Sequence, residues 1–132
     1  MNLRASFMLL LCASVIAAGF GGAEWSRRRT IAHEAARFTS GDPTRGREHI
    51  ARYGCNACHV IPGFPGTNSH VGPPLDQFAL RSYVAGVAEN TPDELEHFIR
   101  DPRAIAPKSA MPKLGVSEGD ARDLAAFLYT LR

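Results

Sequence analysis

Cysteine, tryptophan and long alternating runs are all scarce in this chain of 132 residues. It has three cysteines and one tryptophan. Three cysteines cannot staple a small disulfide scaffold, and Cys12 lies inside an apolar run where it reads as an apolar residue. No β-type alternation of useful length appears, so a sandwich or barrel is excluded. Basic runs interleaved with aromatics are also missing, which removes the case for nucleic acid. The net charge is only +2. From Gly41 onward acidic and basic side chains nearly balance, and the excess sits at Arg27, Arg28 and Arg29. Twelve glycines and nine prolines point instead to short helices joined by structured loops.

Two of the three cysteines stand in Cys55-Asn56-Ala57-Cys58-His59. A Cys-x-x-Cys-His run is the covalent attachment site of c-type haem. Residues i and i+3 share one face of a helical turn, so both sulfurs reach the two vinyl groups of one porphyrin. The imidazole of His59 then comes to the iron from one side. Zinc would need further ligands, and no second Cys pair or His-x3-5-His follows. A redox dithiol would need a βαβ setting, and none is visible.

The segment 1–23 has one early basic residue and then no charge from Ala5 to Ala23. It reads as an export signal, with cleavage near Ala17-Ala18-Gly19 or Gly21-Gly22-Ala23, or as an uncleaved membrane anchor. No strong cleavage site stands out, which favours the anchor. Trp25 and the arginines behind it would then sit at the far interface, although positive charge there opposes translocation. Residues 24–40 read as a polar linker, with Ile31, Ala35 and Phe38 at helical spacing and His33 solvated. The folded domain spans 41–132.

Asp42 followed by Pro43 opens a helix that runs to about Tyr53, where Gly54 breaks it. His49 on this helix is expected at the surface. Residues 60–75 form a Pro/Gly-rich loop, whose proline carbonyls are candidates to fix the second ring nitrogen of His59. His70 reads as a residue of that loop, with iron ligation as the rival role. Thr91-Pro92-Asp93-Glu94 starts another helix with Leu95, Phe98 and Ile99 on its apolar stripe, ending at Asp101-Pro102. His97 is expected to be exposed. Met111 stands in a loop between Pro107 and Pro112, where a stiff backbone suits a thioether as the sixth iron ligand. Ser117 caps a final helix that carries Leu124, Phe127, Leu128 and Leu131 and closes at Arg132.

These pieces, in this order, resemble the small monohaem cytochromes c with Met/His ligation. The resemblance covers Gly41 to Arg132. It implies an all-α fold of three to five helices around one covalent haem c, preceded by the apolar N-terminal helix. It implies Cys55 and Cys58 as thioether sulfurs and His59 and Met111 as axial ligands. Gly72-Pro73-Pro74-Leu75 resembles the family's Gly-Pro-x-Leu, so Pro73 would accept the His59 Nδ1 proton and Leu75 would pack on the haem. Arg81 and Ser109 match positions that bind haem propionates. Gly46 and Ile50 would meet Leu124 and Phe127 at a crossing of first and last helices. Phe98 stands where mitochondrial members place a tyrosine, and their lysine ring is reduced to Lys108 and Lys113.

The function so implied is single-electron transfer in a bacterial respiratory chain, not enzymatic catalysis. An upstream donor and a terminal oxidase would be the partners. The site would lie on the periplasmic side of the cytoplasmic membrane, anchored or free. A fixed subunit of an oxidase or dehydrogenase complex is the alternative within that class. A haem enzyme or gas sensor with a dissociable Met111 is the alternative outside it.

Overall fold

A computed structural model describes residues 3–65 and 71–132 of the chain, with the side chains of residues 3–7, 9–11, 13 and 15–17 outside that description. His70 therefore lies outside the described residues. Five α-helices carry most of the fold: α1 (Leu3–Thr39), α2 (Pro43–Arg52), α3 (Pro92–Arg100), α4 (Pro102–Ile105) and α5 (Glu118–Leu128). The chain divides into two compact units, Met1–Ile31 and Ala32–Arg132.

The first unit is the N-terminal part of α1. No proline interrupts the chain before Pro43, so none breaks this helix before its end at Thr39. Among the described residues, no helix is long and apolar enough to cross a membrane.

In the second unit, residues 32–39 continue as helix rather than a free linker. Ala35 and Thr39 are buried, and Phe38 sets its ring edge-on to Tyr129 at 5.0 Å between centroids. Thr39 Oγ1 donates to the Ala35 carbonyl at 2.9 Å, which satisfies the hydroxyl inside the helix.

The helices α2, α3 and α5 each begin with a side-chain cap, whereas α4 follows directly from the end of α3 without one. Asp42 accepts from the Thr44 and Arg45 amides at 2.8 and 3.3 Å, and Pro43 occupies the first position. Thr91 accepts from Glu94 at 3.4 Å and Ser117 from Asp120 at 3.1 Å. Each cap satisfies an amide that the helix itself leaves unpaired. The last helix ends at Leu128, short of Arg132. Its final residues are engaged elsewhere: Tyr129 Oη donates to Asn90 Oδ1 at 2.9 Å, and the Leu131 carbonyl accepts from Ala79 at 3.0 Å.

The core lies where α2 crosses α5. A Cβ built on Gly46 would come within 1.9 Å of the Asp123 carbonyl oxygen and 2.8 Å of Phe127 Cβ. Only glycine allows this approach. Ile50 and Leu124 are buried behind it, in line with the expected crossing.

Two further sequence expectations change. His49 is buried, not on the surface. It faces α5, with Nε2 3.3 Å from Asp120 Oδ1 and 3.8 Å from Asp123 Oδ2. The same helix periodicity that buries Gly46 and Ile50 turns His49 inward as well. The other change is a short antiparallel ribbon, β1 (Tyr83–Val84) against β2 (Ala88–Glu89), with Tyr83 opposite Glu89 and Val84 opposite Ala88. Its turn uses Ala85 at φ 51° and Gly86 at φ 73°. Alanine is a poor advertisement for left-handed backbone, so the turn is illegible in the sequence.

Candidate functional site

The segment after α2 is shaped to present two sulfurs together. Tyr53 caps α2, Gly54 turns at φ 69°, and Cys55–Ala57 form a 3-10 turn. The Cys58 and His59 amides both donate to the Cys55 carbonyl, at 3.2 and 3.0 Å. In a 3-10 turn residues i and i+3 eclipse, so Cys55 and Cys58 stand one above the other. No disulfide joins them. Burial pushes the Cys55 thiol up from its ordinary value, which keeps it protonated at neutral pH. A catalytic dithiol needs the opposite shift.

His59 follows at once, and its ring is fixed from behind. The backbone after the motif is zipped to the proline-rich loop: the Gly72 amide donates to the Cys58 carbonyl at 2.9 Å and Leu75 to Val60 at 2.8 Å. This brings the Pro73 carbonyl to 2.7 Å from His59 Nδ1. A carbonyl only accepts, so Nδ1 carries the hydrogen and Nε2 is left as the ring's acceptor. Gly72 makes room for the ring. A Cβ there would lie 2.4 Å from His59 Cε1 and 2.6 Å from Nδ1.

Met111 comes from a loop far along the chain. The Met111 amide donates to Ser109 Oγ at 3.2 Å, and Ser109 is tied to the Ala106 carbonyl at 2.8 Å. Lys113 Nζ and Asp101 Oδ2, 2.6 Å apart, hold the loop to the end of α3. The Lys113 hydrogen bond holds the Asp101 carboxyl below its ordinary value.

One cavity of about 660 Å3 collects these residues. It is lined by Cys55, Cys58, His59, Pro73, Leu75, Arg81, Ser109 and Met111, together with Ile50, Leu95, Phe98, Ile99, Leu124 and Leu128 from the helices. That size lies within the range of small-molecule and cofactor pockets. Arg81 reaches the wall, where its Nη2 donates to the carbonyls of Pro74 and Asp76 at 2.5 and 3.0 Å. Tyr53, Tyr83, Val84 and Val116 also line it, and sequence reasoning did not single them out. Tyr83 and Val84 were hidden with their ribbon. Tyr53 carried one signal, its position two residues before Cys55. Tyr53 Oη donates to Asp120 Oδ2 at 2.5 Å, which ties the wall to α5.

The donor set has a definite chemistry. Two thiols can form two thioethers, an imidazole nitrogen can bind a metal, and a thioether sulfur is a soft ligand. The surrounding walls are mostly aliphatic and aromatic and would shed a flat apolar ring from water. These residues fit one iron porphyrin. Among the described residues, no group of three or more His, Cys, Asp or Glu side chains is gathered to hold a bare metal ion.

No protein-family profile matches the chain. It is 34% identical over 89 residues to cytochrome c oxidase subunit 2 of Alkalihalophilus pseudofirmus, a match that covers 67% of this chain and 25% of that subunit. The chain thus resembles a segment about a quarter as long as that relative.

Proposed function

We propose that residues 41–132 bind one haem c covalently and pass single electrons in a bacterial respiratory chain. The observation that carries this reading is one apolar cavity onto which Cys55, Cys58, His59 and Met111 converge from two distant parts of the chain. Similarity to a cytochrome c oxidase subunit supports a respiratory electron-transfer role.

Cys55 and Cys58 would hold the macrocycle through thioethers, and His59 and Met111 would supply ligands to its iron. The haem would supply a one-electron couple at iron. His59 is kept in its Nδ1–H tautomer by the Pro73 carbonyl, so its Nε2 is always presented to the cavity. Met111 sits on a loop braced by Ser109 and by the Lys113–Asp101 pair, so the thioether is delivered by a stiff backbone. Leu75, Phe98 and the helix side chains exclude water. Arg81 and Ser109 line the same cavity and are the candidates for propionate contacts. With His59 and Met111 both given to the iron, no site would be left for substrate, and the protein would serve as a carrier rather than an enzyme. The apolar N-terminal stretch would hold the domain at the periplasmic face of the membrane or, if cleaved, release it into the periplasm.

A second reading is favoured by one observation. The matched segment in the relative belongs to a polypeptide about four times as long, so this domain would suit a fixed place in an oxidase complex. Co-purification with a stable partner separates the two.

The purified protein should be coloured, and its mass should exceed the polypeptide's by one haem. In the oxidised state it should show a methionine-to-ferric-haem charge-transfer band, and Met111→Ala should abolish that band. A colourless mature protein, or an unaltered band in the variant, would overturn the ligand set.

A further inference from the structure

Residues 18–30 of α1 are all exposed. Phe20 is 75% and Trp25 58% exposed, and Arg27, Arg28 and Arg29 follow. Glu24 is the one acidic residue before Glu34, and Arg28 Nε donates to its Oε1 at 2.8 Å. The Arg29 guanidinium lies 3.7 Å from the centroid of the Trp25 ring.

This grouping has a specific chemistry. An indole with an apolar body and one N–H settles at the level of lipid headgroups. A guanidinium stacked on its face keeps its planar fork of donors at the edge, where it matches two phosphate oxygens. Three consecutive arginines against one glutamate leave the helix surface positive. An acidic surface would answer that charge but not the exposed indole of Trp25, whereas a bilayer answers both.

We propose that the Trp25–Arg29 stretch docks on a bilayer bearing anionic phospholipid headgroups, with Trp25 at headgroup depth and Arg27, Arg28 and Arg29 on the phosphates. The site lies beyond every candidate cleavage position, so it serves an anchored and a processed chain alike. It does not depend on the haem reading.

Trp25 is the sole tryptophan, so its emission reports on this stretch alone. The purified full chain should be titrated with phosphatidylcholine vesicles, and separately with vesicles that also contain phosphatidylglycerol. A blue shift and protection from iodide should appear at on the order of hundredfold lower lipid concentration with the anionic vesicles at low salt. High salt should erase that preference. R27Q/R28Q/R29Q should erase it too, with helix content and visible spectrum unchanged, and R27K/R28K/R29K should retain it. Equal response to both vesicles, a preference that survives in the glutamine variant, or a shift elicited by duplex DNA but by neither vesicle would overturn the proposal. Because the visible spectrum is read in the same sample, failure of the lipid docking is distinguishable from failure of haem binding.

Discussion

The 2.7 Å contact from His59 Nδ1 to the Pro73 carbonyl decides which imidazole nitrogen meets the cavity. That contact depends on the residue next to it. Gly72 has no Cβ, and the space a Cβ would take is filled by the imidazole. Gly72→Ala should therefore tilt or displace the ring without touching the cysteines. Changes behind a metal-bound histidine typically cost about 10–100-fold in ligand affinity. Acid displacement of the imidazole from iron, followed by the visible spectrum, should accordingly move up by about one to two pH units. An unchanged titration would mean that the ring does not need this glycine. At this scale the sequence was most legible, because Cys-x-x-Cys-His and Gly-Pro-Pro-Leu are read residue by residue. Arg81 was less so. It lines the cavity, yet two backbone carbonyls engage its guanidinium, and only the fold reveals them.

At the level of elements, the crossing of α2 on α5 sets the floor of the cavity. These two helices and α3 were legible from their caps, because Asp42, Thr91 and Ser117 each precede a helix start and accept from its first amides. What those caps do not tell is which face turns inward. Gly46, His49 and Ile50 all point at α5, and the surface assignment of His49 failed for that reason. Gly46→Ala should place a methyl against the Asp123 carbonyl and pry the helices apart. A loss of about 1–3 kcal/mol or more is expected from such overpacking, read by thermal or denaturant unfolding. Wild-type stability in that variant would remove Gly46 from its role at the crossing. Short elements were the hardest to read. The ribbon from Tyr83 to Glu89 has two residues per strand, too few for any alternation to register.

For the whole molecule, charge placed at the helix crossing links stability to pH. Burial tends to raise the Asp123 carboxyl, but the Arg45 hydrogen bonds at 2.7 and 3.0 Å and the Asp42 amide at 2.7 Å outweigh it and bring it below the ordinary aspartate value. Asp120 is lowered chiefly by the Tyr53 hydroxyl. Both groups hold protons less tightly in the folded chain than in the unfolded one. The stability they add is therefore complete above the ordinary value of 3.8 and is lost as pH falls through their folded values. The protein should lose stability steeply below about pH 4. Asp123→Asn should be about 2 kcal/mol less stable at neutral pH and should show a shallower acid limb, measured by unfolding midpoints across pH. An acid limb identical to wild type would detach Asp123 from this linkage. The sequence alone determined the helix starts, the paired sulfurs, the adjoining imidazole and the candidate thioether, because each is a local pattern of residue types and spacings. Only the tertiary structure decided that these groups share one cavity, that His49 is interior, and that Tyr53, Tyr83, Val84 and Val116 complete the walls. Those facts depend on long-range packing of α2 on α5 and of two proline-rich loops, and packing between distant segments leaves no periodic trace in either one.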